Sequence, residues 1–262
     1  MFDGMKKDVR RYRDILGRNV KLFVRDSGSA LQQRACQTGG YFVGGGTVAT
    51  PLTGFSYAPQ VYIITPGAGD DRQRGQIIAV LLPAADSLQN EPIRFVTAPE
   101  GTLLFEPDLK ELLGDAEDWS KTRVYCLDEK SCGAVLYTKH AGQIYYLLIR
   151  NQSGQIGFPK GHMEYGENEI ETIVREIREE TGLVITPDIS FREEHDYMLC
   201  GVIRKKAVYC IAEFNYYSEI TLGRDEIFGK WLVTYEEARK KLIFPNDRRI
   251  LQKAHQRILG IR

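Results

Sequence analysis

An α+β chain in two parts is what the sequence predicts, on three observations. Before residue 108, short runs rich in β-branched and aromatic residues sit between glycine and proline clusters. From Ser131 onward, strand-type runs alternate with amphipathic helices. Between the two, residues 108–122 read as a short helix and a polar connector. The boundary is therefore expected near residue 122, with a smaller β-rich domain over 1–122 and a second domain over 123–262.

Taken in order, residues 5–17 predict a short amphipathic helix ending near Gly17. The runs at 20–24, 61–65, 76–83 and 93–97 predict strands, punctuated by GGYFVGGGT, TPGAGDD and APEG. The GGGT stretch at 44–47 lacks the lysine and following helix of a phosphate-cradling loop, so a turn or hairpin loop is expected there. Beyond Ser131, CGAVLYTK and GQIYYLLIRN predict two strands joined around HAG, and GFPKGHMEYGE predicts a loop. NEIETIVREIREETG predicts a helix, and the segment around RKK a hairpin. GKWLVT predicts a last strand, followed by two short helices, the second capped at Asn246 or Asp247.

Composition narrows the function classes. With 43% hydrophobic and 27% charged residues, the 262-residue chain has the balance of a globular protein with a sizeable core. Its 35 basic and 35 acidic residues cancel, which argues against a nucleic-acid binder. No run of eighteen apolar residues or secretory signal is present, so a cytoplasmic protein with no membrane span is expected. The five cysteines form no C-x-x-C pair and the four histidines are scattered, which argues against zinc.

The segment that carries chemistry is 161–182, which crowds six glutamates between Glu167 and Glu180. Ile170, Ile173, Val174 and Ile177 recur at i, i+3, i+4 and i+7, predicting a stripe that faces a sheet. Glu176, Glu179 and Glu180 are expected on a flank roughly 115° from it, at ~100° per residue. Arg175 can offset part of their repulsion at i+4 but cannot neutralise three anions. A hard divalent cation, Mg²⁺ or Mn²⁺, could. Gly182 suits the left-handed residue that ends a helix, which leaves the carboxylates at the negative end of its dipole.

Gly161, five residues, Glu167, seven residues, then Arg175-Glu176-Ile177-Arg178-Glu179-Glu180-Thr181-Gly182-Leu183 fill every fixed position of G-x5-E-x7-R-E-U-x-E-E-x-G-U, U being aliphatic. Residues 123–262 thus resemble the Nudix hydrolase superfamily. The resemblance implies an α/β/α sandwich with a mixed β-sheet and Mg²⁺- or Mn²⁺-dependent hydrolysis of a nucleoside diphosphate linked to another moiety. It also implies that Glu176, Glu179 and Glu180 are metal ligands, joined by the Lys160 carbonyl, and that Glu179 or Glu180 helps activate water. Arg175 would orient the glutamates, Glu167 would support them, and Gly161 would let the loop turn.

The flanks GFPKGHME and FPNDRRILQKA resemble the asymmetrical diadenosine tetraphosphate hydrolases. By that resemblance Lys160 and His162 face phosphate, Lys205 or Lys206 contacts phosphate, and Tyr209 stacks on a purine. Glu226, with Glu219 second, is the expected extra acidic ligand. A dinucleoside polyphosphate is the expected substrate; ADP-ribose, a nucleoside triphosphate, a diphosphoinositol polyphosphate and capped RNA are the alternatives. A non-enzymatic nucleotide sensor is the alternative of a different class. The N-terminal domain carries no legible chemistry and is a candidate site of homo-oligomerisation.

Overall fold

Strand-type runs and their glycine punctuation build the first half of the structure, a computed structural model that describes residues 15–24, 32–36, 39–49, 52, 55, 58–67, 73–83, 92–151, 154–199, 201–223 and 227–261. The helix expected at 5–17 falls largely outside these residues; its end, Ile15–Gly17, is a turn. The chain divides into two units, 1–129 with 198–205, and 130–197 with 206–262.

In the first unit the strands are β1 (Asn19–Val24), β2 (Gln32–Cys36), β3 (Gly39–Val48), β4 (Gln60–Thr65), β5 (Arg74–Pro83), β6 (Arg94–Ala98) and β7 (Thr122–Cys126). β1 pairs with β3, β3 with β4, β4 with β6, β6 with β5, and β5 returns to β1. Five strands thus close into a ring, antiparallel throughout except between β4 and β6. A ring in which the third and fifth strands run parallel has the connectivity of an OB-type Greek-key barrel, and closure removes the exposed edges of its sheet. β2 extends the sheet from β3, and β7 from β5.

Helix α1 (Glu106–Leu113) follows β6 and buries Leu109, Leu112 and Leu113 in the barrel core. Its first turn is closed by Asp108, which accepts the Phe105 N–H at 2.9 Å. Beyond it, the buried Glu117 carboxylate is matched by Arg94 at 2.6 Å, Tyr62 at 2.8 Å and Thr122 at 3.2 Å. The GGGT stretch is not a loop: Gly44–Thr47 lie inside β3. A Cβ on Gly46 would stand 2.5 Å from the Phe23 carbonyl oxygen, so the glycine permits close approach of β1 rather than a turn.

The second unit is built on β8 (Asp128–His140), β9 (Gln143–Asn151), β10 (Ile156–Gly157), β11 (Lys160–His162), β12 (Asp188–Leu199), β13 (Ile203–Glu213) and β14 (Ile227–Val233). The sheet order is β10-β9-β8-β13-β12, with β11 added on β8 and β14 on β9. Ala141 (φ 48°) and Gly142 (φ 78°) turn β8 into β9, both in the left-handed region a two-residue hairpin asks for. The β12–β13 turn lies at Gly201–Val202, and RKK belongs to β13.

Period-two alternation sorts the side chains of this sheet onto two faces. Ala134, Leu136, Leu147, Val208 and Cys210 pack on Ile173 and Ile177 of α2 (Glu169–Thr181). Val135, Tyr146, Leu148, Tyr209 and Ile211 pack on Ala238 of α3 (Tyr235–Lys241) and on Ile250, Leu251 and Ala254 of α4 (Pro245–Leu259). The result is an α/β/α sandwich.

Gly46→Ala should lower the thermal midpoint by several degrees, about 1–3 kcal/mol, because the added methyl meets backbone that cannot rotate away. Gly45→Ala, where the methyl would meet nothing within 4 Å, is the matched control and should be neutral. Equal midpoints for both variants in a thermal melt would refute this account of β3.

Candidate active site

Local sequence fixes the start and end of α2. The Asn168 side chain accepts the N–H groups of Ile170 and Glu171, and Glu171 accepts the Asn168 N–H at 2.8 Å, a complete capping box. Gly182 ends the helix in the left-handed region at φ 73°. Its buried face differs from the expected stripe. Ile173 and Ile177 are buried, but Ile170 is 42% exposed, and Glu176, Glu180, Thr172 and Thr181 join the buried side. Two of the three glutamates therefore turn inward, toward the loop that carries Lys160–His162.

That loop is held by β11, which pairs with β8 at Lys160↔Gly133, Gly161↔Cys132 and His162↔Ser131. The Lys160 N–H donates to a Glu180 oxygen at 2.8 Å. A Cβ on Gly161 would lie 2.0 Å from the Glu176 carboxyl carbon, so only glycine leaves room for this carboxylate.

Arg175 ties the loop and helix together. Its Nε and Nη2 donate to the two oxygens of Glu167 at 2.5 and 2.9 Å, a bidentate pair. Nη1 reaches Glu176 at 2.7 Å and Glu179 at 3.2 Å, and Nη2 also donates to the His162 carbonyl at 2.8 Å. Glu167 further accepts the Glu164 N–H at 3.0 Å and the Thr172 hydroxyl at 2.8 Å. The guanidinium is the main reason the Glu167 carboxyl is held down at about 2. At the head of the helix, Arg192 and Lys130 likewise hold Glu169 down at about 2. Neither of these two cations carried a sequence signal, because each comes from a strand distant in the chain.

Among the described residues, no three carboxylate, histidine or cysteine side chains converge on a point that would hold a metal ion. Glu176 and Glu179 point an oxygen at Arg175, and Glu180 points one at the Lys160 N–H. By chemistry the set still fits a hard divalent cation: all donors are carboxylate oxygens on adjacent turns, and the Glu179 side chain is 60% exposed.

The other expected residues fall in varied places. His162 is exposed beside the cluster. Lys206 is paired with Glu194 at 3.0 Å and Asp196 at 3.5 Å. Lys205, which clusters with the first unit, is buried and paired with Glu129 at 3.3 Å. Tyr209 is 2% exposed, edge-on to Phe158 and stacked against His195, so a purine could reach its face only by displacing that imidazole. Glu219 is exposed, on the segment whose Thr221 and Gly223 N–H groups bond the last carbonyls of α2. Glu226 lies outside the described residues.

The NUDIX domain profile matches residues 122–254. The chain is 34% identical over 142 residues to the Mus musculus bis(5′-nucleosyl)-tetraphosphatase [asymmetrical], covering 48% of this chain and 93% of that protein. It is 29% identical over 106 residues to the enzyme of the same name from Caenorhabditis elegans, covering 39% of this chain and 77% of that one. The solved binary complex of a C. elegans Ap4A hydrolase aligns at 27% identity and a TM-score of 0.48, over 51% of this chain and 99% of that one.

The Glu167–Arg175 pair sets a pH dependence. Glu167 titrates at about 2 in the fold, against an ordinary 4.5, so its stabilisation is complete above 4.5 and is lost as pH falls toward 2. Glu167→Gln should be less stable than the wild type at pH 7 in urea titrations, with the gap closing at pH 3. A gap of constant size from pH 7 to pH 3 would rule the ion pair out as its source.

Proposed function

The chain belongs to the Nudix hydrolase family, and from that premise we propose that it is a metal-dependent pyrophosphohydrolase of a dinucleoside polyphosphate, diadenosine tetraphosphate foremost. The family membership makes it a hydrolase of phosphoanhydride bonds. The finer reading is supported by its likeness to enzymes named bis(5′-nucleosyl)-tetraphosphatase over almost their whole length. The observation that carries the mechanism is the set of Glu176 and Glu179, held by Arg175, and Glu180, held by the Lys160 N–H, beneath Lys160–Gly161.

Glu176, Glu179 and Glu180 would hold the cation, with the Lys160 carbonyl beside them. A bound Mg²⁺ or Mn²⁺ neutralises phosphate oxygens and lowers the pKa of attacking water. The chain's own groups do the rest. Arg175 keeps the carboxylates in register and spreads their charge over one guanidinium. The Lys160 ammonium draws the polyphosphate to the loop, and exposed His162 donates to a phosphate oxygen there. Glu180 is buried and tied by the Lys160 N–H, so Glu179, the most exposed of the three, receives the proton of the attacking water at a carboxylate oxygen. The leaving nucleotide departs as a phosphate anion, and no covalent intermediate with the protein is needed.

Incubation of the full chain with Mg²⁺ and diadenosine tetraphosphate should yield ATP and AMP. Glu179→Gln and Glu180→Gln should each lose at least about a hundredfold in kcat, in line with loss of a positioned base or charge stabiliser, while keeping the wild-type melting midpoint. No turnover of diadenosine tetraphosphate by the wild type, with turnover of ADP-ribose or a nucleoside triphosphate instead, sinks the substrate assignment. Full activity in both variants sinks the roles.

A further inference from the structure

Helix α2 carries Glu179 and Glu180 in its last turn, where the final four main-chain carbonyls have no partner within the helix. Gly182 donates to the first of these, on Arg178, at 2.9 Å. A segment that arrives from beyond β13 takes two more. Thr221 donates its N–H to the Thr181 carbonyl at 2.9 Å, and Gly223 donates to the Glu180 carbonyl at 3.3 Å. The remaining carbonyl, on Glu179, faces Gly223 so closely that a Cβ there would stand 2.7 Å from its oxygen. Gly223 is not in the left-handed region, so close approach to the helix is what requires a glycine there.

Ending the helix does not call for this segment. α4 also stops at a left-handed glycine, and there the N–H groups of Gly260 and Ile261, which directly follow, bond the last carbonyls. At α2 a remote segment does this instead, and it is anchored to the sheet. Lys230 of β14 donates its ammonium to the Ile220 carbonyl, and the Ile220 side chain packs against the core beneath α2. The Ile227 N–H donates to the Gly223 carbonyl at 3.4 Å. β14 is itself paired with β9 from Ile227↔Asn151 to Val233↔Tyr146.

The main chain gripped in this way belongs to the two glutamates at the end of the set. Glu180 is fixed at both ends, its carboxylate by the Lys160 N–H at 2.8 Å and its carbonyl by Gly223. The Glu179 side chain is 60% exposed, with Arg175 at 3.2 Å, so where its oxygens lie depends chiefly on its backbone. Groups that orient the ligands of a metal ion tune its affinity without touching it. We propose that residues 220–223 form a brace that sets where Glu179 and Glu180 present their oxygens to the divalent cation. Gly223 and Lys230 are then positioning residues, acting through the helix rather than by ligation. The inference deepens the metal-dependent reading and rests on it.

Mn²⁺ titrations of the full chain without nucleotide, read by electron paramagnetic resonance, report on the carboxylates apart from turnover. Gly223→Ala should bind Mn²⁺ about tenfold more weakly than the wild type, the size expected when a group supporting metal ligands is disturbed. Lys230→Met should weaken binding about threefold, the effect of about one exposed hydrogen bond. Lys230→Arg, which can still donate to the Ile220 carbonyl, should restore the wild-type affinity. Variants with a lowered thermal midpoint but unchanged Mn²⁺ affinity would reduce the segment to a helix stop and overturn the proposal. Equal weakening by Lys230→Met and Lys230→Arg would overturn it as well. If Gly223→Ala fails to fold by circular dichroism, the two Lys230 variants decide by the same comparison. Failure of the underlying reading looks different: the wild type itself would show no Mn²⁺ affinity, which removes the cation site and the brace together.

Discussion

The bidentate pair between Arg175 and Glu167 is the interaction on which the C-terminal site depends. Six glutamates lie between positions 167 and 180, and like charges at that density would fray a helix or force its carboxylates to take up protons. Each has an identifiable counter-group instead. Glu167, Glu176 and Glu179 share Arg175; Glu169 has Arg192 and Lys130; Glu171 and Glu180 accept backbone N–H groups. A lysine at 175 would supply a point charge but not the planar fork that engages both Glu167 oxygens while a third nitrogen reaches the helix.

Glycines set the distances at which this network works. Without a Cβ at Gly133, the Pro159 carbonyl and Lys160 pack directly on β8; a methyl there would be 2.2 Å from that oxygen. Without one at Gly161, Glu176 packs directly beneath the loop. β8, β11 and α2 are thus stacked through gaps closed to any side chain. This is why the Lys160 N–H stands within bonding distance of a helix that begins nine residues later.

Much of this was legible in the sequence, and the reasons differ by element. Fixed spacing along a single helix is a local property, so the box residues and the Gly182 cap could be read directly. The strand-type runs predicted β4, β5 and β6 because β-branched residues suit a pleated, half-buried surface. Ring closure of the barrel was hidden, since it depends on β1 meeting β5 across more than fifty residues, and so was the role of Gly46, whose neighbour belongs to another strand. Periodicity misjudged α2 for a related reason. It ranks residues by polarity, whereas Arg175 and the Lys160 N–H make it cheaper to bury Glu176 and Glu180 than the local pattern implies, leaving Ile170 at the exposed end of the stripe.

The alternation of β13 explains why its lysines and tyrosine resist assignment by sequence alone. Val208 and Cys210 face α2, whereas Ala207, Tyr209 and Ile211 face α3 and α4. Tyr209 is therefore committed to the core by its register, whatever the appeal of an aromatic at that point. The His195 imidazole lies over the face of this ring, and a ligand would have to displace it. The ring can hold other groups still: Phe158 meets its edge and His195 lies over its face. Rigid placement by a buried ring gives a polar side chain next to it directional value, because the side chain cannot swing away to find water.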